Sequence, residues 1–122
     1  MSLLYIFIGG GLGSVCRYGI SKAFVTQGSF FTYGTIIANV LATLVLGLFV
    51  YIFREKLQAD NPLFLMITVG FCGGFSTFST FSLETFKFLE KGMLGWAIVN
   101  VLVSIFACLL VLFAIYKIAY KG

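Results

Sequence analysis

Charge is scarce in this chain: 10% of its 122 residues are Asp, Glu, Lys or Arg, against roughly a quarter in a soluble domain. Histidine is absent, acidic residues number four, and proline occurs once. The three cysteines, Cys16, Cys72 and Cys108, are odd in number and lie singly in apolar surroundings. A metal site built from His and Cys therefore finds no ligand set, and the cysteines read as small helix-packing residues. Long polar runs are missing too, which leaves little chain for a soluble domain.

What is present is apolar. Hydrophobic residues make up 61% of the chain and the mean hydropathy is +1.10. A bilayer core needs about 20 mainly apolar residues per spanning helix, and four stretches meet that requirement: Leu3 to Phe24, Tyr33 to Phe53, Leu63 to Phe88 and Leu94 to Tyr116. The expected fold is an all-α membrane protein, one four-span domain over residues 1–122, multi-pass in the cell's inner (plasma) membrane. The start "MSLLYIF" lacks the positive region of a signal peptide, so the first stretch is expected to be a retained span. The clearest polar break is "REKLQADNP", Arg54 to Pro62, which holds the one proline. "TQGSFFTYG" and "EKGMLG" mark two shorter breaks.

The net charge is +4, but the basic residues are scattered singly at span ends and form no nucleic-acid face. With four spans, Arg54, Lys56, Lys117 and Lys121 share one side of the membrane, and Arg17, Lys22, Lys87 and Lys91 share the other. A Lys/Arg excess normally selects the cytoplasmic side. A tie removes that bias and allows insertion both ways, unless helix hydrophobicity or a few influential charges select one orientation. Four short spans enclose little polar space alone. Assembly with a second copy is expected, and two oppositely inserted copies form an antiparallel homodimer of eight helices.

Polar residues inside the spans carry the functional signal. In "GGGLGSVCRY", Gly9 and Gly13 form a GxxxG pair suited to close helix approach. Arg17 then either snorkels to the headgroups or forms an electropositive vestibule for an anion. In the second span Thr35, Asn39 and Thr43 recur at four-residue steps and share one helix face. Asn100, Ser104 and Cys108 repeat that pattern in the fourth span. Such stripes are interhelical glue or the wall of a polar path. Neither holds a carboxylate, so a path of this kind suits a small anion better than a proton-coupled substrate.

"GFCGGFSTFSTFS", Gly70 to Ser82, is the most unusual stretch. Each step of three falls about 60° short of a helical turn, so its aromatics and hydroxyls sweep around the axis and leave no lipid face. Five of the seven residues from Ser76 to Ser82 are hydroxylic, preceded by Gly70, Gly73 and Gly74. Either this is a glycine–serine packing interface, or the third helix is broken into two halves, with freed backbone groups as ion ligands.

"GGGLGSVCRY", "GTIIANVLATLVLG" and "GFCGGFSTFSTFS" together resemble the three signature motifs of the Fluc (CrcB) family of fluoride channels, in the same order and over the whole chain. Ser14, Ser76, Ala42 and Leu44 depart mildly from the usual pattern. The resemblance implies a channel, not an enzyme: passive fluoride export through two pores of an antiparallel, dual-topology homodimer. It implies a structural sodium ion bound by the backbone carbonyls of Gly73 and Ser76 from both copies. It makes Asn39, Phe78, Phe81, Ser79, Thr80, Ser104 and Cys108 the fluoride pore, with Arg17 in the vestibule. Two other classes stay open on the residues alone. A small drug antiporter would need a membrane carboxylate, for which Glu84 is the nearest candidate, and a non-transporting accessory subunit would need no pathway.

The charge tie yields a direct test. Adding two or three lysines to "REKLQADNP" is expected to force one orientation and abolish function of that variant alone, with recovery on co-expression of an oppositely biased variant. A wild-type C-terminus accessible from one side of the membrane only would sink the idea.

Overall fold

The computed structural model describes residues 1–24, 33–52 and 60–120. Most of the first and second polar breaks, with Arg54 and Lys56, and Lys121 at the C-terminus lie outside the described residues. Among the described residues four helical stretches are long and apolar enough to cross a membrane: Ser2–Ala23, Tyr33–Ile52, Pro62–Glu90 and Leu94–Ala119. The protein is a multi-pass, all-helical membrane protein, with span limits within a few residues of those expected. Helix α1 is Ser2–Ala23 and α2 is Tyr33–Gly47, which runs on as a π-helical turn over Leu48–Ile52. The third span comprises α3 (Pro62–Leu65), a π-helical stretch (Met66–Phe71), α4 (Cys72–Phe75) and α5 (Phe78–Glu90). Helix α6, Leu94–Ala119, forms the fourth.

Local sequence explains the described ends. Asn61 has extended backbone and its side-chain oxygen accepts from the Leu63 amide at 2.8 Å, with Pro62 in the first turn, where its missing N–H costs nothing. At the other end of the span "EKGM" stops α5 with two bonds. Gly92 N–H reaches Leu89 O at 3.0 Å and Met93 N–H reaches Phe88 O at 2.8 Å, a Schellman arrangement that needs the positive φ of Gly92 (73°).

The spans meet through small residues. Gly9 and Gly13 of α1 are buried against the third span. A Cβ on Gly9 would strike the Met66 carbonyl, one on Gly13 the Phe71 carbonyl, and one on Gly74 the Gly10 carbonyl, while Gly70 lies against the Ile6 carbonyl. Backbone thus touches backbone where α1 crosses the third span. Gly70 and Gly74 are placed for this crossing, whereas a Cβ on Gly73 would meet nothing within 4 Å. A compact core of Ala38, Ala42 and Phe75 forms beside the crossing, with Ile20 and Phe71 packed on it. Ala42, 2% exposed, fills its site with a methyl group. Many of the larger apolar side chains, among them Leu3, Phe7, Leu110 and Ile118, face outward, as hydrocarbon solvent allows.

The crossing predicts a contrast within one helix. Gly13→Ala drives a methyl into backbone that cannot yield and is expected to cost about 1–3 kcal/mol. Gly11→Ala, with nothing within 4 Å of the new Cβ, is expected to be neutral or slightly stabilising. Thermal unfolding of the two variants in detergent checks this; equal losses would rule out the backbone contact as the cause.

Candidate functional site

Between α4 and α5 two residues leave helical geometry: Ser76 (φ −82°, ψ 158°) and Thr77 (φ −153°, ψ 119°). In a continuous helix the Thr77 amide would bond the Gly73 carbonyl four residues back. Here it donates to Asn39 Oδ1 at 2.7 Å, and Asn39 Nδ2 donates to the Thr77 carbonyl at 3.3 Å. The side-chain amide thus serves extended Thr77 as a neighbouring strand would. In the same way the Thr80 amide, which would otherwise reach Ser76, donates to the Thr77 hydroxyl at 3.2 Å and caps α5. The helical donors of the Gly73 and Ser76 carbonyls are both directed elsewhere.

Arg17 reaches the same place from α1. Its Nε donates to the Gly74 carbonyl at 3.2 Å, which sets a cation at the C-terminal end of the helical run through α4, where the helix dipole favours it. The Ser76 hydroxyl donates to the Cys72 carbonyl at 2.7 Å, alongside the Ser76 amide on that carbonyl at 3.0 Å.

Beside the extended residues lies a cavity of about 320 Å³ lined by Asn39, Ser76, Thr77, Phe78, Phe81, Ser104 and Cys108, with Thr43 and Ile105. No charged residue among the described residues lines it. The Phe78 and Phe81 rings are 5.8 Å apart between centroids and inclined at 44°. Ser104 is 7% exposed, and its buried hydroxyl has no hydrogen-bond partner among the described residues. Asn39 keeps a second amide hydrogen beyond its bond to Thr77. Hydrogen-bond donors and two aromatic rings therefore line one space.

Of the residues singled out in the sequence, Asn39, Phe78, Phe81, Ser104, Cys108 and Ser76 come together here. Ser79 and Thr80 do not line the cavity: Ser79 is exposed and its hydroxyl lies 3.2 Å from that of Thr77. Gly73 and Arg17 do not line it either: Gly73 lines a second cavity that shares Thr43 and Ser76 with the first, and Arg17 bonds the Gly74 carbonyl. Thr77 is a lining residue that the sequence reading passed over. Its signal was a helix start, a threonine directly before the apolar first residue of α5. Glu84, the carboxylate an antiporter would need, lines no part of the cavity and accepts a 2.7 Å bond from the Thr35 hydroxyl.

Comparison with known proteins finds relatives over almost the whole chain. The family described as CrcB-like protein, Camphor Resistance (CrcB), matches residues 4–116. A protein of Citrifermentans bemidjiense named fluoride-specific ion channel FluC is 48% identical over 109 residues, covering 88% of this chain and 87% of its own. The protein of the same name from Serratia proteamaculans is 43% identical over 104 residues, 85% of this chain and 82% of its own. That of Salmonella arizonae is 42% identical over 103 residues, 84% and 81%. With the match running from α1 into the last turns of α6, through both glycine faces and every residue of the cavity, the chain belongs to the CrcB family.

Proposed function

We propose that the protein is a fluoride-selective channel of the plasma membrane, a passive path and not an enzyme. The observation that carries this reading is the lining of the cavity: the hydroxyl of Ser104, the amide of Asn39 and the rings of Phe78 and Phe81, with no partner for that hydroxyl and no charged lining residue among the described residues. Fluoride is small and strongly hydrated. A path for it has to replace water with donors and with the positive edges of aromatic rings. The relatives that carry fluoride in their names support the same substrate. Passive conduction is enough for protection: hydrogen fluoride is a neutral weak acid that crosses lipid, ionises in the more alkaline cytoplasm and leaves fluoride trapped there. An exit route then lowers the internal load.

The finer reading is an antiparallel, dual-topology homodimer with two pores, in which the third span works as two half-helices. Phe78 is 79% exposed in the single chain, and Gly73 and Ser79 are exposed as well, all near mid-span. Hydroxyl and backbone groups are costly against hydrocarbon, and a second copy laid over this face would cover them. The four-against-four charge tie supports opposite insertion. A sodium ion between the copies fits the donor set. The Gly73 and Ser76 carbonyls lose their helical donors to Asn39 and Thr77, and neutral carbonyl oxygens are the usual ligands of this hard cation in membrane proteins. Bound there, the ion would supply fixed positive charge near the anion path.

Purified protein in liposomes is expected to release fluoride and to retain chloride; vesicles that hold their fluoride would end this reading. Phe81→Ile removes a ring edge without touching a hydrogen bond, so flux is expected to fall sharply in a protein that stays folded. Ser76→Ala is expected to be nearly harmless, because the Ser76 amide still bonds Cys72 and a carbonyl ligand survives; strong loss would move the role to the hydroxyl.

Asn39→Leu is expected to be worse than either change. It removes a pore donor and strands the amide and carbonyl of Thr77, at about 1–3 kcal/mol for each buried group left unmade. Flux and melting temperature are both expected to drop. Normal conduction by this variant would reduce Asn39 to packing. For the cation, exchange of sodium for a bulky organic cation is expected to lower the melting temperature of the wild-type dimer, as loss of any ligand specific to the folded state does. Identical melting in the two salts would remove sodium from the account.

A further inference from the structure

Among the described residues Asn100 is the largest side chain that is completely buried, at 0% exposure, yet it is polar and does not line the cavity that Ser104 and Cys108 line one and two turns further along α6. An isosteric leucine would pack there without any demand for a partner. Asn100 instead donates from Nδ2 to the Thr85 hydroxyl at 2.9 Å, and that hydroxyl donates to the Phe81 carbonyl at 2.8 Å. A hydroxyl has a single proton. Because Thr85 spends its proton on Phe81, it can only accept from Asn100, so the amide has to present nitrogen. The amide oxygen then faces away, buried and without a partner among the described residues. A group held in that state costs stability, and its one bond leads, through the Thr85 hydroxyl, to the backbone of a residue whose ring lines the cavity.

We infer that Asn100 is a positioning residue for ion discrimination: through Thr85 it holds the Phe81 turn of α5 at a fixed height against Ser104 of α6. The bonds set the separation between the ring edge of Phe81 and the hydroxyl of Ser104, the two groups between which a dehydrated anion would pass. A small increase in that separation weakens contacts to fluoride and relaxes the exclusion of larger halides. The inference rests on the fluoride reading above. Simple interhelical adhesion is the competing role, and it would alter stability without altering selectivity.

The test uses reconstituted full-length protein, with fluoride and chloride efflux each measured over a range of concentrations. Thr85→Val removes the hydroxyl at constant shape. Half-saturating fluoride is expected to rise, and the fluoride-to-chloride flux ratio to fall, by about three- to tenfold, the range a single hydrogen bond between membrane helices supports. Thr85→Ser keeps both bonds and is expected to match wild type. Since Thr85→Val leaves a buried amide unpaired, the double variant Asn100→Leu with Thr85→Val is made as well. It replaces both partners with apolar groups and is close to neutral for folding, and its shift is expected to equal that of the single variant instead of the sum of two. Wild-type vesicles that release no fluoride would overturn the channel reading and this inference together. Wild-type release with an unchanged ratio and half-saturation in the double variant would overturn the inference alone and leave Asn100 as adhesion between helices.

Discussion

A bilayer supplies no hydrogen bonds, so any residue that leaves helical geometry at membrane depth has to find partners for its amide and carbonyl within the protein. Ser76 and Thr77 are two such residues, and the pairing of Asn39 with both backbone groups of Thr77 is what makes their conformation tenable. Much of the surrounding structure follows from it. Once the Thr77 amide is committed to Asn39, the Gly73 carbonyl loses its helical donor. The Thr77 hydroxyl then takes the Thr80 amide and starts a new helix, which frees the Ser76 carbonyl in turn. One side-chain amide thereby exposes two carbonyls and gives α5 its own beginning.

The glycine crossing supplies the rigid side of this arrangement. With α1 in backbone contact at Gly9, Gly13, Gly70 and Gly74, the segment just before the extended residues cannot shift without separating two helices. Arg17 adds a directional bond from the same helix to the Gly74 carbonyl. Three carbonyls in a short stretch thus have different fates. That of Gly74 is taken by a guanidinium, while those of Gly73 and Ser76 have lost their usual donors. The cavity is lined by the extended pair itself together with Asn39, which has a hydrogen to spare, and by Phe78, Phe81 and Ser104. Its neutrality is consistent with weak, multi-point contact, which lets an ion enter and also leave.

Helix α6 contributes through an uneven stripe. Ser104 and Cys108 line the cavity, but Asn100, at the same spacing, is turned into the protein and bonds Thr85. Likewise Thr35, Asn39 and Thr43 share a face of α2 and serve different partners: Glu84, Thr77 and, for the Thr43 hydroxyl, the carbonyl of Asn39 itself. Periodicity identifies which residues share a face. It does not identify which neighbour that face meets.

That distinction separates what the sequence by itself determined from what only the tertiary structure decided. Span number and limits were legible because lipid imposes a length and a composition on each helix, and "FSTFSTFS" was legible as unusual because a period of three leaves no lipid face. Asn39, Phe78, Phe81, Ser104 and Cys108 were marked out by motif resemblance and by the rarity of amides in hydrocarbon, and the fold brings them to one cavity. Local pattern could not assign the glycines of the third span. Gly70 and Gly74 answer to α1, more than 60 positions away in the chain, and only the crossing reveals which of the three glycines touches backbone. Nor could it find Thr77, whose role comes from a partner 38 residues distant, or exclude Ser79 and Thr80 from the cavity wall, since a hydroxyl in a repeat looks like its neighbours until a helix start fixes its direction. Composition and period are properties of one segment in its solvent, whereas a hydrogen bond between spans is decided by where two helices cross.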